Sequence, residues 1–194
     1  DYAFSGCSSF TSIEIPNSVT TIGANAFESC IGLTSVEIPN SVTEIGDRAF
    51  DGCSNLTSVV WNAVSCRGYM GKSLFYGSGI KTIIFGDSVE YIPSYLCYEC
   101  VELTSIVIPN NVISIGAQAF NGCSSLSLVS IENGVTEIGQ GAFYECSSLT
   151  SIKIPNSVTS IGTWVFAYCE KLRNVEIGNN VETIDNYAFK GCSG

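Results

Sequence analysis

Hydrophobic and polar residues alternate in short segments that return along this chain at a fixed interval. In the segment 35–38, Val36 and Ile38 are apolar, whereas Ser35 and Glu37 are polar. Alternation with a period of two and with β-branched residues predicts a β-strand that buries one face. Eight segments of this kind are predicted to be strands: 12–15, 35–38, 58–61, 82–85, 105–108, 128–131, 151–154 and 174–177.

Each predicted strand is followed by a second apolar pair and then by a short apolar turn. In the unit 33–53, Pro39 marks the end of the strand because proline has no N–H to donate to a ladder. Val42 and Ile45 form the second apolar pair. The Ala-Phe pair at 49–50 begins a segment too short to be a stable helix alone. A single helical or 3₁₀ turn is predicted there.

Eight cysteines mark the length of the repeat. Cys7, Cys30 and Cys53 are 23 residues apart, and the same interval separates the five cysteines from Cys100 to Cys192. A fixed period of this size is typical of a solenoid of stacked coils. One unit cannot bury its own inward positions, so neighbouring coils must share a core. In the unit 33–53 the predicted inward residues are Leu33, Val36, Ile38, Val42, Ile45, Ala49, Phe50 and Cys53.

The recurrent string LxxIxIPxSVTxIGxxAFxxC, which 149–169 follows closely, resembles the leucine-rich repeats of the BspA-like, Treponema-type family. The Ile-Pro step, the Ile-Gly step, the Ala-Phe pair and the cysteine recur in phase over nearly the whole chain. The resemblance implies an α/β repeat solenoid, a right-handed leucine-rich-repeat superhelix. It implies a parallel, concave β-sheet of about eight strands with short helical or 3₁₀ turns and little regular helix.

The same resemblance implies a function and a location. Members of this family are bacterial or protist proteins of the cell surface, often adhesins or binders of host or matrix proteins. The chain is therefore expected to be a non-enzymatic, extracellular or cell-surface binding module. Its expected partner is a protein or a glycan, recognised on the repeat surface.

The length of 194 residues fits one domain, 1–194, built from units of about 23 residues. Both ends of the chain fall inside a unit, and neither carries an obvious polar cap, which solenoids need for solubility. Two interpretations stay open. The chain is a fragment of a longer protein with further repeats, or its end coils pack against another molecule. The second interpretation gives an alternative function, a structural stalk or self-associating spacer.

Charge and composition exclude several classes of function. The net charge of −10 argues against nucleic acid and anionic membranes as partners, because both require a basic face. No apolar run approaches the roughly 18 residues of a membrane-spanning segment, so no membrane insertion is expected. The chain has no histidine and no GxSxG, HExxH or glycine-rich phosphate loop. We therefore expect no catalytic residue, no metal site and no cofactor.

Ten cysteines leave free thiols, disulfides and a metal site as alternatives. The common spacing favours a ladder of buried free thiols, because equivalent positions in stacked coils do not normally present the geometry of a disulfide. Cys97 and Cys100 form a CxxC sequence, yet Cys97 stands at the phenylalanine of the Ala-Phe pair and Cys100 belongs to the ladder. Cys66 lies off the ladder, either as a free thiol or as a partner of Cys97.

An irregular unit covers 61–75, where Trp61 and Asn62 replace the Ile-Pro step. Insertions in repeat proteins map to loops and often lie beside a binding face. This interpretation makes Arg67 and Tyr69 candidate contact residues of an irregular loop. The alternative is a coil that packs in its own way, with Trp61 and Met70 filling core space.

The outward residues at the centres of the strands change character along the chain. They are Glu14, Glu37, Val60, Ile84, Val107, Ser130, Lys153 and Glu176. Three consecutive coils are thus predicted to expose Val60, Ile84 and Val107, with Leu128 on the same face. An apolar cluster on a face rich in Ser and Thr is a candidate binding surface, unless a loop or another chain covers it. The candidate contact residues are Glu37, Val60, Ile84, Val107, Leu128, Ser130 and Lys153.

Overall fold

The structure, a computed structural model, describes residues 1–66 and 73–194. The candidate loop residues Arg67 and Tyr69, together with Met70, lie outside the described residues. The described part of the chain forms fifteen short strands. In chain order they are β1 (Ser12–Ile13), β2 (Thr21–Ile22), β3 (Ser35–Ile38), β4 (Glu44–Ile45), β5 (Ser58–Trp61), β6 (Thr82–Phe85), β7 (Tyr91–Ile92), β8 (Ser105–Ile108), β9 (Ser114–Ile115), β10 (Leu128–Ile131), β11 (Glu137–Ile138), β12 (Ser151–Lys153), β13 (Ser160–Ile161), β14 (Asn174–Glu176) and β15 (Thr183–Ile184).

Paired strands are parallel, and equivalent residues of successive coils lie side by side. Val36 of β3 pairs with Val59 of β5, and Ile106 of β8 pairs with Val129 of β10. The first strand of each coil contributes to what we call the front face, which is formed by β1, β3, β5, β6, β8, β10, β12 and β14. The remaining strands are two residues long and form a second ladder in three segments, β2 with β4, β7 with β9 and β11, and β13 with β15. The predicted stack of coils is confirmed as a parallel β-solenoid.

The front strands do not form one continuous sheet, so the predicted single sheet of about eight strands is not confirmed. Hydrogen bonds join β1, β3, β5 and β6 into one sheet, β8 with β10 into a second, and β12 with β14 into a third. No hydrogen-bonded pairing joins β6 to β8 or β10 to β12 within the described ranges. At the first interruption the last inward residue of β6 is Phe85, whereas the equivalent residue of β8 is the smaller Ile108. No feature of the sequence accounts for the second interruption.

The predicted helical or 3₁₀ turn after the second ladder is also not found in the part of the chain that the structure describes. That segment consists of hydrogen-bonded turns, and we call it the turn face. In the coil 126–146, Gly141 and Glu145 have φ values of 60° and 57°, and a right-handed helix cannot include such residues. The N–H of Phe143 instead donates to Val165 O of the next coil at 2.9 Å. Across residues 1–66 and 73–194, no helix has the length and hydrophobicity of a membrane span.

The inward residues predicted from the unit 33–53 are all buried, none with more than 4% of its surface exposed. Phenylalanines of successive coils stack on one another: the rings of Phe120, Phe143 and Phe166 are spaced at 5.4 and 5.5 Å. In the irregular unit Trp61 is fully buried, which favours the interpretation of a coil that packs in its own way. Burial is weaker where a coil has one neighbour. Ile184 in the last coil is 52% exposed, whereas the equivalent Ile161 is 0% exposed.

None of the ten cysteines, all of which lie within the described residues, forms a disulfide, so the disulfide alternative, including a bond between Cys66 and Cys97, is wrong. The thiols of the ladder donate hydrogen bonds to carbonyl oxygens of the preceding coil. Cys53 Sγ lies 3.1 Å from Phe27 O, and Cys169 Sγ lies 3.2 Å from Phe143 O. Burial raises the pKa of Cys53 and that of Cys169 to about 12. Both thiols therefore keep the proton that they donate.

Candidate functional site

The front face brings most of the predicted contact residues into one row. In the parallel register Glu37 lies beside Val60, and Val60 lies beside Ile84. Further along the chain Val107 lies beside Ser130. The alternation of inward and outward residues within each strand, repeated in every coil, produces this row. It gives the front face an apolar centre and polar residues towards both ends.

Exposure identifies which residues of the row a partner can reach. Ile84 and Val107 are each 58% exposed, and Leu128 is 62% exposed. Val60 is half-buried, so it offers a partner less surface than these three residues do. We define the apolar patch as Ile84, Val107 and Leu128. The neighbours of Leu128 in its own row are polar, since it pairs with Ser105.

A cleft of about 400 Å³ lies within this patch, between β6 and β8. Its lining includes Ile84, Phe85, Ser105, Ile106, Val107 and Pro109. The cleft coincides with the interruption of the front ladder, so no strand-to-strand hydrogen bonds close this edge of β6 and β8. Backbone polar groups therefore lie next to exposed apolar side chains. Sequence periodicity predicts unbroken pairing, which is why sequence analysis did not find the cleft.

Polar side chains on either side of the patch are engaged with neighbouring coils. Asn62 Nδ2 donates to Glu37 Oε1 at 2.8 Å. Lys153 Nζ lies 2.7 Å from Glu176 Oε1, and both side chains are about two-thirds exposed. An exposed ion pair of this kind contributes about 0–1 kcal/mol to stability. An apolar centre with a polar rim is the usual composition of a protein interface.

The turn face carries a second concave region that sequence analysis missed. It is a pocket of about 400 Å³, and five of its lining residues are Arg48, Asp51, Tyr95, Tyr98 and Gln118. Three of these, Arg48, Tyr95 and Gln118, hold left-handed backbone with φ between 54° and 59°. The signal in the sequence was the position just before the Ala-Phe pair, where large polar and aromatic residues stand in several coils.

Comparison with known proteins agrees with the repeat string. The profile of the BspA type leucine rich repeat region matches the chain in 6 copies, over residues 1–100 and 90–194. No curated protein matches the chain.

Two solved structures resemble the fold over most of the chain. A leucine-rich repeat protein of Treponema pallidum is 31% identical with a TM-score of 0.63, and the match covers 90% of this chain and 71% of that one. A leucine-rich repeat protein of Bacteroides ovatus is 26% identical with a TM-score of 0.51, and the match covers 97% of this chain and 66% of that one.

Proposed function

The chain belongs to the family of BspA-type leucine-rich repeat proteins, and on this basis we propose that it is a non-enzymatic module that binds a protein through the apolar patch of its front face. The family fold supports a repeat module with an interaction surface. The observation that carries the placement is the coincidence of Ile84 and Val107, each more than half exposed, with the cleft between β6 and β8.

The chemistry of the patch favours a protein over a glycan at this site. Apolar side chains of a partner can enter a cleft lined by Ile84, Phe85 and Val107, and burial of apolar area is the main favourable term in protein association. Sugar hydroxyls need several converging polar side chains. The lining residues with polar side chains are Thr82 and Ser105, and two hydroxyls are too few groups to orient a sugar.

A location on the cell surface or in the secreted fraction is part of the same proposal. The family resemblance supports it, and a partner from a host or its extracellular matrix follows from that location. Free thiols are unusual in an oxidising environment. Here eight of the ten are buried, and a buried, protonated thiol is inert because the thiolate is the reactive form.

Replacing Ile84 and Val107 by serine should abolish partner binding and leave the fold intact. Both side chains are 58% exposed, so their loss should change the free energy of unfolding by no more than about 0.5 kcal/mol each. The parent protein is first used to isolate partners from solubilised extracellular matrix, with identification by mass spectrometry. The affinity of each purified partner is then measured, and the double variant should bind at least tenfold more weakly.

The matched control for this experiment is Ile113→Ser, which removes an apolar side chain that is 41% exposed and lies outside the patch. The control should bind the partner as the parent does. Equal affinities of the parent and the Ile84→Ser, Val107→Ser variant would refute the placement. Light scattering over a concentration series accompanies the binding assay. A parent dimer that the double variant dissociates would identify a second copy of the chain as the partner.

A further inference from the structure

The pocket on the turn face combines aromatic rings with an ion pair. The rings of Tyr95 and Tyr98 lie 5.9 Å apart and are tilted by 46°, so that they form a corner. Arg48 Nε lies 3.6 Å from Asp51 Oδ2. Tyr76 and Gln118 also line the pocket. Its volume of about 400 Å³ falls in the ordinary range of small-molecule sites, about 300–1,000 Å³.

Neighbouring coils hold the walls of this pocket in place. The N–H of Tyr95 donates to Ala117 O at 3.0 Å, and the N–H of Gln118 donates to Gln140 O at 2.9 Å. The buried hydroxyl of Ser73 donates to Tyr98 O at 3.1 Å. The pocket is therefore built from several successive coils, and its side chains project from a backbone fixed by coil-to-coil hydrogen bonds.

The polar groups of the pocket are available to a ligand. The side chain of Arg48 is 45% exposed. Within residues 1–66 and 73–194, Arg48 forms one ion pair, with Asp51. Burial, followed by a hydrogen bond to the Glu99 side chain, raises the pKa of Tyr98, so its phenol stays protonated at neutral pH and its ring is the part that faces a ligand. Guanidinium, carboxylate and amide groups are planar and can each form paired hydrogen bonds.

We propose that this pocket binds a neutral saccharide. The C–H face of a pyranose ring is apolar and packs on tyrosine rings, whereas adjacent hydroxyls of the same ring pair with Arg48, Asp51 and Gln118. Both parts of this recognition are present in one pocket. The site is distinct from the apolar patch and takes a different class of ligand, so it stands or falls independently of the protein-binding function proposed for the front face.

Charge selects a neutral ligand over a charged one. Asp51 already compensates Arg48, and the chain as a whole carries −10, so a sulfated or carboxylated glycan would be repelled. A cationic ligand would meet the guanidinium of Arg48. The other aromatic group of the turn face is a poorer candidate, because Lys190 Nζ already lies over the Trp164 ring, 5.2 Å from its centroid.

Arg48, Tyr95 and Gln118 occupy the same position of their coils, just before the Ala-Phe pair or its equivalent, and we call this position the left-handed column. Its backbone allows a side chain to be removed by substitution with glycine. Glycine adopts positive φ without steric cost, and Gly141 stands at the equivalent position one coil beyond Gln118. Arg48→Gly and Tyr95→Gly should therefore remove side chains of the pocket without lowering the melting temperature. The matched control is Asn25→Gly, which makes the same change at φ 56° in the same column but outside the pocket.

Lactose, maltose, cellobiose and chitobiose are titrated separately into the parent and the variants, with saturation-transfer NMR for detection and calorimetry for affinity. At least one of them should bind the parent, bind Arg48→Gly and Tyr95→Gly at least tenfold more weakly, and bind Asn25→Gly unchanged. No binding to the parent at millimolar concentration overturns the proposal, and so does binding that survives in both pocket variants or disappears in the control. If a pocket variant melts below the parent, Tyr98→Ala and Gln118→Gly decide by the same criteria.

Discussion

Replacing Phe143 by alanine should lower the free energy of unfolding by about 4 kcal/mol. The ring is fully buried and is stacked between Phe120 and Phe166, with centroids 5.4 and 5.5 Å away. Its removal takes away the transfer energy of the side chain and leaves a cavity that the flanking rings cannot fill, because hydrogen bonds between coils fix the backbone on both sides. Urea unfolding followed by circular dichroism measures the loss.

Phe4→Ala is the matched control for this variant, since Phe4 occupies the same column in the first coil. Its side chain is 38% exposed, and within its column it stacks on Phe27, at 5.2 Å. The expected loss is about 1–2 kcal/mol, because less apolar area leaves water on folding at this position. Similar losses for both variants would mean that burial is not shared between neighbouring coils.

Replacing Gly139 by alanine should destabilise the protein by about 3 kcal/mol. A Cβ at this position would lie 2.5 Å from Ala117 N and 2.9 Å from Ala117 Cα in the preceding coil. Backbone atoms cannot yield as the end of a flexible side chain can, so the two coils must move apart. Gly139 is thus required by the close packing of these two coils, and chemical denaturation should show the loss.

The same replacement one coil later, Gly162→Ala, should be tolerated. There the nearest atom to an added Cβ is Ile138 O at 3.4 Å, which is ordinary contact. The difference arises because β11 and β13 are not joined by hydrogen bonds, whereas β9 and β11 are. Gly162→Ala should change the free energy of unfolding by less than about 1 kcal/mol. An equal loss at both glycines would contradict the interrupted ladder.

The stack and the outward row follow directly from the sequence. A strand that alternates Val36 and Ile38 with Ser35 and Glu37 has one assignment of faces that buries its apolar set, and a shift by one residue would expose all of it. The interval of 23 residues, or 24 between β5 and β6, then places each strand beside its equivalent in the next coil. The position of Ile84 and Val107 in one row could therefore be predicted.

Other features depend on contacts between coils that no single unit encodes. The turn face contains left-handed residues such as Tyr95 and Gln118, and because these are not glycine, residue type gave no sign that a helical turn is excluded there. The interruption between β6 and β8 has the same cause, since a 23-residue period is preserved across it. The pocket of the turn face draws its residues from several coils. The contacts of Arg67 and Tyr69 stay predictions.

The central claim is that equivalent residues of consecutive coils lie side by side in parallel, which is what brings Ile84 and Val107 to one cleft of the front face. Nuclear Overhauser effects in the folded protein measure this directly. The account predicts cross-peaks between Val36 and Val59 and between Ile106 and Val129, pairs that are 23 residues apart. Cross-peaks that join these segments in antiparallel order, or none at this spacing, would contradict it.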